Sequence, residues 1–138
     1  MRSTGRSQKG ASVVEFAIMA PLFIALLFAI VEFGMILYTK SMLAHASREG
    51  ARFGVVYSVP RRTAGEIQGV VQNFLDRCDL TSTAAVTVYG AGGTSGNNLE
   101  VRINYTYHFF VLPKDINHYV FGKMADLNLT AKTVMRME

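Results

Sequence analysis

The sequence predicts an α+β protein: a long N-terminal transmembrane helix plus a small antiparallel sheet packed with one amphipathic helix. Three observations carry that prediction. From Phe16 to Thr39, about 24 residues, the only charge is Glu32, close to the ~20 apolar residues a helix needs to cross a bilayer. Ile67, Val70, Val71, Phe74, Leu75 and Cys78 follow at three- and four-residue intervals, the mark of one helical face. After residue 84 the apolar period changes to two, the mark of strands.

In chain order, Met1–Gly10 is polar, basic and free of acidic residues, and reads as a targeting leader. The apolar run that follows is rich in Ala, Leu, Phe, Ile and Met, and a backbone in lipid must satisfy its own hydrogen bonds as a helix. Pro21 is its one breaker, where a kink or local opening is expected. The helical pattern continues through "LYTKSMLAHASREGARFGVVY", giving a helix from Ser12 to about Tyr57. Ala46, Gly50 and Gly54 recur four apart on one face, a spacing that lets another backbone come close. A frayed, glycine-rich helix end is the plainer reading.

Pro60 breaks the pattern. Thr63 and Glu66 have the spacing of a capping box, and the 67–78 stripe makes the next helix. Ala85–Tyr89 is a short strand, and "GAGGTSGNN" (90–98) a hairpin loop. Leu99–Phe110 is a strong strand with Val101, Ile103, Tyr105, Tyr107 and Phe109 on one face, ended by Pro113. "KDINHYVFGKM" is an irregular or briefly helical connection. Leu127–Met137 alternates again, with Leu127, Leu129 and Ala131 on one side. The domains are thus a leader (1–10), a helix (11–57) with its membrane segment at about 16–39, and an extracytoplasmic α+β domain (58–138). About 80 residues make a marginal core, so a docked helix is expected to complete it.

The net charge of +4 is mostly a property of the leader. Arg2, Arg6 and Lys9 lie in the first ten residues, and without them the balance falls to +1. No basic stripe remains to neutralise a row of phosphates, so no nucleic-acid partner is expected. The single cysteine, Cys78, excludes an internal disulfide and reads as a small buried residue. His45, His108 and His118 fall in no metal-ligand frame, and the glycine loop lacks the Gly-Lys-Ser/Thr ending of a phosphate cradle. No GxSxG elbow occurs. The Tyr105/Tyr107/Phe109 stripe has strand spacing and reads as core. No enzyme, cofactor or metal site is expected.

Glu15 decides among readings of the N-terminus. A secretory signal peptide offers "AHA" (44–46) as a cleavage site, but the apolar run is longer than the ordinary 7–15-residue core and contains carboxylates. A plain signal anchor fits the length and gives Glu15 no role. A third reading gives it one. A short basic leader ending in Gly10, then a long apolar helix with glutamate at its fifth residue, resembles the type IV pilins.

The resemblance sharpens over "GASVVEFAIMAPLFIALLFAIVEFGMILYTKSMLAHASREGARFG". Gly10, Val14, Glu15, Phe16, Ala17, Pro21, Glu32, Phe33 and Gly34, then Ala46, Arg48, Glu49, Gly50, Ala51 and Arg52, resemble the TadE-like family of the tight-adherence (type IVc) pilus system. Ser47 stands where that family commonly has alanine. The resemblance implies a minor pilin, or pseudopilin, that helps assemble or initiate an adhesive pilus. It implies cleavage by a prepilin peptidase between Gly10 and Ala11, and pairing of Glu15 with the new amino group of a neighbouring subunit. Helix packing would involve Glu15, Pro21, Glu32, Ala46, Gly50 and Gly54. The implied partners are the peptidase, other minor and major pilins, the inner-membrane assembly platform and membrane lipid. The implied place is the bacterial inner membrane, single-pass with the N-terminus cytoplasmic, and then the surface pilus. Two readings stand for Glu32: a carboxylate snorkelling to the far interface, or a buried contact between helices. Pro21 is either a kink that eases extraction or a tolerated membrane proline. The alternative function is a membrane-anchored extracytoplasmic adhesin or scaffold outside any filament.

Overall fold

The computed structural model of the chain describes residues 5–109 and 126–138, with side chains from residue 10 onward. The expected strand end at Phe110–Pro113 and the 114–124 connection lie outside the described residues, as do His118 and the first four residues of the leader. The chain divides into two compact units, Met1–Met35 and Ile36–Glu138.

Helix α1, Gly5–Val55, contributes to both units. It starts before the expected Ser12, at Gly5, and Arg6, Gln8 and Lys9 in its first turns are good helix formers. It ends two residues before Tyr57. Pro60 disfavours helical backbone at Val59, and the Val55 carbonyl accepts a hydrogen bond from the Glu138 amide at 3.3 Å. A helix end leaves such carbonyls without intrahelical partners. In the first unit α1 exposes large apolar side chains all round, from Val13 and Phe16 to Ile30 and Phe33.

The second unit adds α2 (Ala64–Arg77) and three strands, β1 (Ala84–Tyr89), β2 (Asn98–His108) and β3 (Asp126–Arg136). They form one antiparallel sheet of order β1-β2-β3, with Val86 opposite Ile103 and Ile103 opposite Ala131. Thr63 caps α2 as its spacing predicts: its hydroxyl accepts from the Glu66 amide, and its amide donates to the Glu66 carboxylate at 2.7 Å. These bonds satisfy two donors in reciprocal fashion. The backbone and then the side-chain bond from Thr63 hold the Glu66 carboxyl below the usual glutamate range, with Arg62 adding to the effect.

A pH dependence follows. The native state binds the Glu66 proton less tightly than the unfolded chain does. The contribution is therefore complete above the ordinary glutamate pKa of about 4.3 and is lost as pH falls through the lowered native value. Thr63→Ala is expected to lower the melting temperature at pH 7 by roughly 5 °C. Melting curves of wild type and variant between pH 7 and pH 3 should draw closer at the acid end, as the Thr63 hydroxyl loses its bond to the Glu66 carboxylate, while the gap from its bond to the Glu66 amide remains. Parallel curves would show that the cap does not set the shift.

The core joins α1 to the sheet. Leu43, Ala46, Ala51 and Val55 of α1 cluster with Ile67, Val71 and Leu75 of α2, Leu99, Val101, Ile103 and Tyr107 of β2, and Leu129 and Ala131 of β3. The docked helix expected for so short a domain is thus the second half of α1. Tyr107 is only 6% exposed and meets Phe109 edge to face at 5.9 Å; its ring is core, not an open stacking surface. Cys78 is partly buried at the end of α2, packed against the core.

The opposite sheet face is polar. Thr106 donates to Asn128 and Thr130 to Asn104, while Glu100 bridges Lys132 at 2.8 Å and Arg102 at 2.7 Å. The Lys132 bond, with help from Arg102, holds the Glu100 carboxyl below its usual range.

Candidate processing and assembly site

Gly10, Ala11, Glu15 and Pro21 all lie exposed in α1. A Cβ added at Gly10 meets no atom within 4 Å. An interior helical glycine costs ~1 kcal/mol relative to alanine, and nothing among the described residues requires one at Gly10. Pro21 sits inside α1 without ending it, as membrane helices tolerate. Glu32 is 8% exposed, against 62% for its neighbour Phe33.

Ala46, Gly50 and Gly54 belong to the second unit, and their face is filled from within the chain. Ala46 is fully buried. A Cβ at Gly50 would collide with Val71 Cγ2; one at Gly54 would lie 2.5 Å from Leu99 Cδ2 and 2.6 Å from Ile67 Cδ1. The close approach that this spacing permits is made by α2 and β2, neither of them a second subunit.

Ser47 shares that face and is 1% exposed. Its hydroxyl donates to the Ala44 carbonyl at 3.0 Å and lies 2.7 Å from the Thr133 hydroxyl of β3. Along the chain Ser47 is marked only as standing where alanine is common. Its place four residues after Leu43 and seven before Gly54 was the available signal, since a polar residue on a buried helix face needs a partner. Ser47→Ala strands Thr133 and is expected to cost about 1 kcal/mol. Pairing it with Thr133→Val should recover most of that loss in a double-mutant cycle of denaturant midpoints. No coupling between the two would disprove the bond's role.

On the exposed side of α1, Arg52 donates to Glu49 at 3.0 Å. That bond raises the guanidinium above its ordinary range. Among the described residues, no group of three or more His, Cys, Asp or Glu side chains could hold a metal ion.

One helix among the described residues, within Gly10–Val55, is long and apolar enough to cross a membrane. The family model described as TadE-like protein matches residues 10–52. Residues 10–52 of the chain are TadE-like. The matched segment begins at Gly10, includes Glu15, Pro21 and Glu32, and ends two residues before Gly54, leaving α2 and the sheet outside the match. No curated protein and no solved structure matches the chain. The TadE-like segment associates it with the tight-adherence pilus as a minor-pilin-like protein, and with other pilus components in general. Its long apolar helix is suited to membrane anchoring.

Proposed function

We propose that this TadE-like protein is a minor pilin, or pseudopilin, made with a leader that a prepilin peptidase removes between Gly10 and Ala11. Its N-terminus would start in the cytoplasm and its second unit outside the inner membrane. After processing, α1 would leave the bilayer and join other minor and major pilins on the inner-membrane assembly platform. The observation that carries this reading is the TadE-like match over residues 10–52, which opens on Gly10. The open space around Gly10 supports it, because that glycine answers to no packing need among the described residues. Membrane lipid serves α1 before assembly, and the role is structural, without catalysis.

Glu15 supplies the assembly chemistry. Glu15 borders the apolar 16–39 segment, where a carboxylate is costly to bury. Cleavage frees an ammonium at Ala11, and a buried charge is tolerable when an opposite charge meets it. Glu15 would meet the Ala11 ammonium of a neighbouring subunit and set the stagger between helices. The signal-peptide alternative has an obstacle in the fold: Ala46 and Ser47, which flank its cleavage point, are both buried in the core of the second unit.

Intact mass from cells with and without the prepilin peptidase tests the proposal. Loss of residues 1–10 only when the peptidase is present is the expected result. Full-length protein in both strains would leave a plain anchor, and a cut after Ala46 would mean a signal peptide.

A further inference from the structure

Between α1 and α2 in the second unit lies a cleft of about 440 Å³ lined by Glu49, Val70, Asn73, Phe74 and Arg77. Val70 and Phe74 are half-buried and form its apolar lining, while Asn73 and Arg77 are exposed. On the α1 side, Arg52 reaches Glu49 with one nitrogen and keeps 72% of its side chain exposed. Arg48, one turn earlier, is also exposed. We propose that this cleft docks an acidic amphipathic helix of another protein, with an apolar residue seated on Val70 and Phe74 and carboxylates meeting Arg77 on one rim and Arg52 and Arg48 on the other.

Charge chooses the occupant. Glu49, the one acid in the cleft, is already taken by Arg52, and Arg48 and Arg77 have no ion pair among the described residues. Among the described carboxylates of this unit, Glu100 is paired with Arg102 and Lys132 and Asp126 with His108, Glu66 and Asp76 are held by Thr63 and Thr81, and Asp79 and Glu138 lie outside any helix. A second copy therefore offers no free row of acids on a helix, and an acidic helix of a different protein complements these cations better. An apolar anchor between charged flanks is the helix-in-groove mode of recognition, with the charges setting orientation and partner choice. The inference does not depend on cleavage at Gly10, so the two fail separately.

The test uses the full-length protein in zwitterionic nanodiscs. The probe is a fluorescent helical peptide with leucines on one face and glutamates flanking them; the control carries lysines in place of the glutamates. The glutamate peptide should bind, and more weakly as salt rises. Arg77→Glu combined with Arg52→Glu should weaken binding about tenfold or more. Asn73→Trp, at an exposed position that fills the cleft, should do the same, and Arg136→Glu on the far strand should not. Equal binding of the lysine peptide, or indifference to Asn73→Trp, would overturn the proposal. Self-association abolished by Asn73→Trp would assign the cleft to a second copy. Loss of peptide binding in anionic nanodiscs, with wild-type binding in Asn73→Trp, would assign the cations to lipid headgroups.

Discussion

Gly54→Val is expected to lower the melting temperature of the second unit by roughly 10 °C, the range of a moderate overpacking penalty in a domain of this size. A helical glycine replaced by a residue with a side chain ordinarily gains stability, up to ~1 kcal/mol for alanine. Here the sign reverses. A Cβ at Gly54 would lie 2.5 Å from Leu99 Cδ2 and 2.6 Å from Ile67 Cδ1. Both neighbours are fully buried, so neither can swing into solvent. The valine methyls would have to push α1 away from α2 and β2. Gly34→Ala is the matched control: a Cβ there meets nothing within 4 Å, and the second unit should melt unchanged. Thermal unfolding by near-ultraviolet circular dichroism of the detergent-solubilised chain measures both. A Gly54→Val protein that melts like wild type would show that α1 is not locked against the sheet.

Glu15→Ala should abolish assembly while leaving the protein made, inserted and processed. Removing the carboxylate takes a charge away from the end of the apolar segment, so membrane retention rises if it changes at all. What is lost is the partner of a buried ammonium, and breaking a buried pair costs about 3–5 kcal/mol, a factor of more than about 100 in an association constant. Glu15→Gln should fail as well, since it keeps the shape and loses the charge. Glu15→Asp should retain part of the function. The measurement is filament yield in the sheared fraction, read beside the intact mass of the membrane-bound form. Wild-type yield from the Glu15→Ala strain would rule out the pairing. A block in processing would move the role of Glu15 from assembly to recognition by the peptidase.

The elements were legible because each rests on a local signal. The period of 3.6 in 67–78 and the period of two in 99–108 and 127–137 mark which residues face a core, whatever that core is. The Thr63/Glu66 cap needs only four residues of chain, and it forms as spaced. The long helix is set by composition, since its first half has no polar face to offer water. Helix ends were less legible. The end of α1 at Val55 depends on an amide from Glu138, a contact between distant parts of the chain. The exposed stretch from Val13 to Phe33 was readable as a surface seeking an apolar environment, and the matched segment covers it.

The amino-acid sequence by itself determined the membrane-length helix, the TadE-like pattern from Gly10 to Arg52, and the α+β class, because apolar periodicity and charge placement are properties of neighbouring residues. Tertiary structure alone decided what fills the small-residue face. Ala46, Gly50 and Gly54 have a spacing that suits any close partner, from this chain or another. Only the folded arrangement shows Val71, Ile67 and Leu99 against them. It also turned Ser47 from an apparent substitute for alanine into one half of a part-buried hydroxyl pair with Thr133, 86 residues away. A side chain's partner is fixed by packing across the fold, and pattern along the chain does not encode which of the possible surfaces arrives.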